Sequence, residues 1–308
     1  SLMKKNKLNN QQNETLKHFS KTASLWNKKI ISKDKKKLDR TIISRINIVR
    51  KCLKTQKQNK NFLDIGCGTG QLAIAAAQLN INSQGIDYSD AMIKKSILNS
   101  KKVLTQNQLK KIHFRKESFF NTKGNDVLYD SIAALGFIEY FPKEILGKFF
   151  KKCNDILTTN GSAFIGSRNR LFNCFTSNDY TKMEYNLGTL NQLISEAIEV
   201  SKSNSIEKLK KNTSKLSLHY KHPAKHPFSS GINVSQRFQY SPAELVRKIE
   251  KFGFEAIDIF PVSYHSVPFS NFSKSYDDFV DQKIYSNRLI KFKYLPYAST
   301  FIIHAKKR

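Results

Sequence analysis

The sequence predicts an α/β fold with a largely parallel sheet, and three observations lead to that prediction. Residues 61–70, NFLDIGCGTG, combine a short apolar run with three glycines, which fits a buried strand ending in a tight turn. Residues 71–79, QLAIAAAQL, contain no helix breaker. A second strand at 82–86 ends at Asp87, 17 residues after Gly70. Acidic residues at about this distance bind ribose hydroxyls in nucleotide-binding α/β folds.

The segments FLDIGCGTG (62–70) and GIDYSDAMI (85–93) closely resemble motif I and the following acidic loop of class I S-adenosylmethionine-dependent methyltransferases. The resemblance implies S-adenosylmethionine as cofactor. It also implies a Rossmann-like seven-stranded sheet, mostly parallel with an antiparallel last strand, carrying an N-terminal helical cap and a lid insert. The cofactor contacts that it implies are Asp64, Gly66, Cys67, Gly68, Gly70, Asp87, Tyr88, Met92, Ser118, Phe119 and Leu135.

The composition limits the possible partners and compartments. The chain has 308 residues, with 53 Lys and Arg against 24 Asp and Glu, a formal charge of +29. Such a charge is compatible with an RNA partner, but it fits a general lysine bias equally well. The four cysteines show no metal-ligand or disulfide spacing, which favours a reducing cytoplasm. No apolar run is long enough for a membrane span, and no signal-peptide pattern opens the chain.

Residues 1–60 are expected to form a helical cap of two amphipathic helices, with residues 1–13 frayed. The first helix places Phe19 and Trp26 at helical intervals, and the second is expected within 41–53. The segment HFSKTASLW (18–26) resembles the helix that closes over the cofactor in small-molecule O-methyltransferases of the ubiquinone-biosynthesis type. Residues 61–167 are the expected cofactor-binding core.

The third predicted strand, 111–115, leaves one cofactor contact open. The methyltransferases that the chain resembles usually carry an acidic residue just after this strand, where Ser118 stands here. Three groups are therefore alternatives for the contact to the adenine: Ser118, Glu117 and the backbone of Phe119. A helix should start after Asp87, with Ser89 or Asp90 as its N-cap.

The fourth predicted strand, 127–135, precedes the segment GFIEY (136–140) and the candidate catalytic residues Glu139 and Tyr140. Enzymes that methylate exocyclic amines carry an Asn/Asp-Pro-Pro-aromatic run at this place, and this chain does not. A cytosine-C5 enzyme needs a nucleophilic cysteine here, which is also missing. Both differences argue against two large classes of nucleic-acid methyltransferase.

Past the fourth strand, the predicted order is a helix (143–157), a turn at Asn160-Gly161 and a fifth strand (162–167). Residues 168–240 are expected to form a lid or substrate insert with a helix at 187–200. The Ser, Lys and Asn content of the linker that follows, up to about residue 217, predicts mobility.

Residues 241–308 complete the core. They begin with a helix whose N-cap is Ser241, and continue with a sixth strand and a seventh at 299–306. An aromatic insert is expected at 263–297.

Methyl transfer requires an acceptor lone pair aligned with an electrophilic methyl group, and an oxygen acceptor must also lose its proton. His265 is the first candidate base, and Glu139, His219, His222 and His226 are the other candidates. Tyr140 and Tyr180 are candidates for orienting the acceptor. His222 and His226 are expected to be solvated loop residues, and no metal site is predicted. The sequence therefore predicts a methyltransferase acting on a small molecule, with oxygen as the expected acceptor. An RNA methyltransferase and a non-catalytic cofactor-binding protein are the alternatives.

Overall fold

Seven strands form one sheet, and their pairing confirms the predicted architecture. In chain order they are β1 (Asn61–Ile65), β2 (Asn82–Asp87), β3 (Ile112–Lys116), β4 (Tyr129–Ala134), β5 (Leu157–Arg168), β6 (Phe254–Tyr264) and β7 (Ala298–Lys307). Their order across the sheet is β3-β2-β1-β4-β5-β7-β6. Strands β1 to β5 pair in parallel, and β7 runs antiparallel between β5 and β6. The structure, a computed structural model, describes residues 2–31, 39–56, 59–121, 127–227, 232, 234–265 and 291–308.

Helices cover both faces of this sheet. In the described residues they are α1 (Leu2–Ile31), α2 (Arg40–Thr55), α3 (Gln71–Gln78), α4 (Asp90–Val103), α5 (Gln106–Leu109), α6 (Leu146–Ile156), α7 (Asp179–Asn186), α8 (Leu190–Ser201), α9 (Ile206–Asn212), α10 (Pro242–Glu250) and α11 (Lys291–Tyr294). Short 3-10 helices lie at Ile138–Tyr140, Lys143–Ile145, Arg170–Phe175 and Leu295–Tyr297. None of these described helices is long and apolar enough to cross a membrane.

Local sequence signals explain where several helices begin. The Ser89 side chain accepts a hydrogen bond from the Met92 N–H, so Ser89 and not Asp90 is the N-cap of α4. At α10, Pro242 occupies the first turn and the Glu244 carboxylate accepts from the Ser241 N–H at 3.4 Å.

The two faces of the sheet carry separate apolar clusters. On one face α2 contributes Val49 and Leu53, which pack with Phe62 and Phe164 of the sheet. On the other face, the larger cluster joins β4 and β5 to α6, α8 and α10. Because α2 is held by this core, its first turns have a fixed position beside the sheet edge where the site lies.

Three expectations about individual segments are wrong. Residues 1–13 are not frayed, because α1 is already helical at Leu2. Strand β5 starts at Leu157 and not at residue 162 as expected. Residues 158–161 interrupt its pairing with β4, because Tyr129 pairs with Leu157 and Ser131 pairs with Ser162. The expected linker up to residue 217 contains α9, which buries Ile206 and Leu209.

The insert after β5 is held by buried polar contacts. Arg170 donates to both oxygens of Glu184, at 3.0 and 2.8 Å, and both side chains are almost fully buried. Of the expected aromatic insert at 263–297, residues 266–290 lie outside the described residues. Residues 263–264 end β6, and 291–297 contain α11. The division of the chain into 1–60, 61–167, 168–240 and 241–308 stays a prediction.

Candidate active site

One cavity of about 630 Å³ opens at the carboxyl ends of β1, β2, β4 and β5 and is covered by α1. Ligands of open α/β sheets bind at this edge of the strands. Ten of the eleven predicted cofactor residues line it, namely Asp64, Gly66, Cys67, Gly68, Asp87, Tyr88, Met92, Ser118, Phe119 and Leu135. The eleventh, Gly70, does not line the cavity. Its φ is +87°, and a Cβ there would lie 2.7 Å from the Ser96 Cβ, so Gly70 allows α3 and α4 to approach each other.

The glycine turn after β1 is tied to the acidic residue after β2. The Gly68 N–H donates to Oδ2 of Asp87 at 3.0 Å, and the Ser89 N–H donates to Oδ1 at 2.8 Å. Burial raises the pKa of Asp87, while these backbone donors lower it. The carboxylate of Asp87 therefore fixes the turn and lines the cavity.

Asp64 lies at the other side of the same turn, in β1, and is 4% exposed. Burial raises its pKa from 3.8 to about 7, opposed by a backbone hydrogen bond from Ala73 and reinforced by the nearby charge of Asp87. Burial also raises the pKa of Cys67 well above its usual value, so this thiol is neutral and unreactive. Two close carboxyl groups make this end of the cavity suited to a cationic ammonium group.

The raised pKa of Asp64 predicts a pH dependence of stability. An acid with a higher pKa in the folded state binds its proton more tightly when folded, so its contribution is complete below pH 3.8 and is lost as pH rises towards about 7. The loss is on the order of 4 kcal/mol for this shift. Asp64→Asn should therefore flatten the decline of the unfolding free energy between about pH 4 and pH 7, measured by urea unfolding without cofactor.

The pKa of Asp87 is raised as well. The unfolding free energy of the Asp64→Asn variant should therefore still decline with pH, but less steeply than that of the wild-type protein. Asp155→Asn is the matched control, because Asp155 is exposed on α6. If the unfolding free energy of Asp64→Asn depends on pH as that of the wild-type protein does, the raised pKa of Asp64 is contradicted.

Helix α1 closes the cavity with aromatic rings and polar contacts. Phe19 packs edge-on against Trp26 at 5.6 Å and against Tyr140 at 5.3 Å between ring centroids. Ser20 and Ser89 share a hydrogen bond of 3.0 Å between their hydroxyl groups, and Gln12 donates to the Ser118 hydroxyl at 3.5 Å. All three candidates for the adenine contact, Glu117, Ser118 and Phe119, line this part of the cavity, and the choice among them stays open.

The far end of the cavity holds two of the three predicted catalytic residues. Glu139 is 3% exposed and pairs through Oε2 with Arg237, at 3.0 Å from Nε and 2.9 Å from Nη2. Tyr140 lines the cavity beside it, and burial followed by the negative charge of Glu139 raises the pKa of its phenol. Tyr140 is therefore protonated at neutral pH and is a hydrogen-bond donor, as an orienting group must be.

The third candidate, His265, does not line the cavity. Its ring packs against Phe172 at 5.3 Å, and Phe172 is the residue that faces the cavity. Strand β6, which ends next to His265, lies at the edge of the sheet with β7 between it and β5. The catalytic roles of His265, Glu139 and Tyr140 stay predictions.

The expectation of solvated loop histidines is wrong for His222 and His226. His226 is 6% exposed, its Nδ1 faces the Arg237 N–H at 3.3 Å, and both imidazoles pack on Phe238. Burial lowers the pKa of His222 to about 3 and that of His226 to about 4, so both rings are neutral. In the described part of the chain, no group of three His, Cys, Asp or Glu side chains could hold a metal ion.

Three cavity-lining arginines were missed by the sequence analysis. Arg45 comes from α2, Arg168 ends β5, and Arg237 lies in the segment before α10. Only Arg168 carried a usable signal, because it follows a predicted strand directly at the edge where ligands bind. A guanidinium from a helix or from a distant segment is brought to the site by the fold alone.

A methyltransferase domain family matches residues 63–163, about a third of the chain. Two uncharacterized proteins of Rickettsia prowazekii (strain Madrid E) are 33% and 28% identical over 110 residues, which is 35% of this chain. The chain matches 19% and 42% of the lengths of these relatives.

Among solved structures, magnesium protoporphyrin IX methyltransferase from Synechocystis PCC 6803 with bound SAH superposes with a TM-score of 0.58 at 12% identity. The match covers 97% of this chain and 100% of that one. These findings confirm the predicted methyltransferase fold, and the solved neighbour is known with bound SAH and with bound SAM.

Proposed function

We propose that this S-adenosylmethionine-dependent methyltransferase domain transfers a methyl group to an oxygen of a small-molecule acceptor. The observation that supports the proposal is the cavity itself, because ten predicted cofactor residues line the same space as Glu139, Tyr140 and Phe172. That space lies under α1 and has aromatic walls, which suits a small acceptor better than a long polymer.

The residues of the cavity would hold the two halves of the cofactor separately. Asp87 would bind the ribose hydroxyls, and Asp64 would bind the ammonium of the methionine part. Arg45 lies beside the same turn, since a Cβ on Gly136 would be 2.9 Å from its Nη1, and the neighbouring Phe137 ring packs on Gly66. Arg45 would therefore bind the cofactor's carboxylate.

The cofactor supplies an electrophilic methyl group on a sulfonium, and the protein has to align the acceptor and exclude water. Phe19 and Tyr140 pack against each other, and both line the cavity. Aromatic faces stabilise a sulfonium through cation–π attraction. For a hydroxyl acceptor, Glu139 would be the base, because it lines the cavity beside Tyr140. Phe172 separates the His265 ring from the cavity.

The structural likeness to magnesium protoporphyrin IX methyltransferase also supports a small-molecule acceptor, because the match covers 97% of this chain. The ubiquinone-type branch of small-molecule O-methyltransferases remains part of the proposal, and it rests on the segment HFSKTASLW in α1.

The direct test is methyl transfer from cofactor labelled with a tritiated methyl group. We expect label in the small-molecule fraction of a cell extract and none in its RNA. Label confined to RNA would overturn the small-molecule assignment. Absence of both label and S-adenosylmethionine binding by the folded protein would overturn the proposed function.

RNA methylation is the second candidate, because the formal charge of the chain is +29. An RNA-binding surface with six or more phosphate contacts loses about a thousandfold in affinity between about 50 and 200 mM salt. We expect a weak interaction with RNA, measured by fluorescence anisotropy. Tight binding of RNA that weakens steeply with salt would favour an RNA methyltransferase.

A further inference from the structure

Two amide side chains in the wall of the cavity have no part in the cofactor contacts or in the proton transfer. Asn173 belongs to the 3-10 helix Arg170–Phe175 that follows β5, and Gln239 lies in the segment before α10. Both line the cavity, and they are only 2% and 3% exposed. A buried amide in a ligand cavity is paired within the protein or available to a ligand, and its hydrogen bonds distinguish the two cases.

The Asn173 amide has a fixed orientation. Its Nδ2 donates to Oε1 of Glu184 at 2.8 Å and to Oε1 of Gln239 at 2.7 Å. A carboxylate that pairs with an arginine only accepts hydrogen bonds, so the nitrogen of Asn173, and not its oxygen, must face Glu184. Glu184 is itself held by Arg170, which donates to both of its oxygens. The buried ion pair therefore determines which atom of Asn173 contacts Gln239.

The orientation of Asn173 determines that of Gln239. Because Asn173 contacts Gln239 through its nitrogen, Gln239 must accept with Oε1, which leaves Nε2 and its two N–H groups on the other branch of the amide. Among the described residues, no group accepts a hydrogen bond from this Nε2.

The segment before α10 directs the Gln239 side chain at the cavity. Arg237 and Gln239 line the cavity, whereas Phe238 and Tyr240 belong to the larger apolar cluster of the core. Alternate residues of an extended segment point to opposite sides. The N–H groups of Gln239 are therefore hydrogen-bond donors that a ligand in the cavity can use.

We propose that Gln239 binds a carbonyl oxygen of the methyl acceptor through Nε2, an inference that rests on the proposed function. An N–H group matches a carbonyl, which only accepts hydrogen bonds, and does not match an ammonium, which only donates them. Phe141 and Phe172 line the same cavity, and their rings suit the face of a flat molecule. The acceptor class is an aromatic ketone, or a related carbonyl compound, that also carries the hydroxyl group to be methylated.

The test compares phenols that differ only in a carbonyl group. The ortho, meta and para isomers of hydroxyacetophenone are each paired with the corresponding ethylphenol, in which a methylene group replaces the carbonyl. Binding is measured by calorimetry with saturating S-adenosylhomocysteine, at a pH that keeps all the phenols protonated. We expect at least one ketone to bind about tenfold or more tightly than its ethylphenol, because the ethylphenol leaves the Gln239 donor without a partner.

Three variants assign the preference for the ketone to Gln239. Gln239→Met keeps an unbranched side chain without a donor, so the ketone and its ethylphenol should bind equally within about twofold. Asn173 is a positioning residue, and Asn173→Ala should reduce the preference without abolishing it, because Gln239 can then rotate. Gln236→Met is the matched control, since Gln236 donates to the Ala224 carbonyl at 2.9 Å and does not line the cavity. Its preference for the ketone should equal that of the wild-type protein.

The affinity for S-adenosylhomocysteine shows whether each variant is folded. A preference for the ketone that persists in Gln239→Met would assign the donor to another group of the cavity and overturn the inference. It is also overturned if no ketone binds more tightly than its ethylphenol, or if none of the compounds binds. Failure of the wild-type protein to bind S-adenosylhomocysteine would instead contradict the proposed function.

Discussion

Asp87→Ala should raise the dissociation constant for S-adenosylhomocysteine by about 100-fold. The carboxylate holds the glycine turn through the Gly68 and Ser89 N–H groups and faces the cavity where the ribose is expected. Hydrogen bonds to a charged group contribute about 1.5–3 kcal/mol each, and the variant loses both the direct contacts and the fixed turn. Calorimetric titration at constant pH measures the effect.

Asp90→Ala is the matched control for that titration. Asp90 lies three residues further along, at the start of α4, where it is half-exposed and pairs with Lys94. It does not line the cavity, so its removal should leave the dissociation constant unchanged. If Asp87→Ala binds S-adenosylhomocysteine as tightly as the wild-type protein does, the assignment of this turn to the cofactor is wrong.

Arg170→Met should lower the melting temperature by about 10 °C. Both members of the Arg170–Glu184 ion pair are buried, with side-chain exposures of 2% and 0%, and removal of one leaves a charge without its partner. Breaking such a pair costs about 3–5 kcal/mol, and one kcal/mol corresponds to about 2–4 °C for chains of this order of length. Glu184 also accepts from Asn173 at 2.8 Å, so these two donors organise the start of the insert.

A double variant and a surface control make the prediction specific. Replacing Glu184 by Gln in the Arg170→Met background should recover part of the lost stability, because no buried charge remains. Lys202→Met removes the exposed pair with Glu199 and should shift the melting temperature by less than about 2 °C. Equal shifts in Arg170→Met and Lys202→Met would show that the insert does not depend on its buried ion pair.

The parts of the site that could be predicted are those encoded by neighbouring residues. The turn from Gly66 to Gly70 and the acidic Asp87 follow from spacing along the chain, and ten of eleven predicted cofactor residues line the cavity. Gly70 could not be separated from the others, because the sequence does not show that α4 packs against it. Phe19 and Trp26, which lie at helical intervals in the sequence, both line the cavity.

Other features depend on contacts between distant segments. The proximity of Arg168 and Arg237 requires the insert to return to the sheet, which no local pattern indicates. Helix α9 was missed because its two buried residues, Ile206 and Leu209, are separated by polar residues and followed by lysines. His265 was expected on the acceptor side, but the position of β6 at the sheet edge places its ring behind Phe172.

A crystal structure with S-adenosylhomocysteine tests the central claim most directly. The account predicts the ribose hydroxyls on Asp87, the methionine ammonium near Asp64 and the methionine carboxylate on Arg45. It also predicts that the sulfur faces the space bounded by Tyr140, Arg168 and Arg237. Density for the ligand outside this cavity, or a sulfur that faces away from the two arginines, would contradict the account.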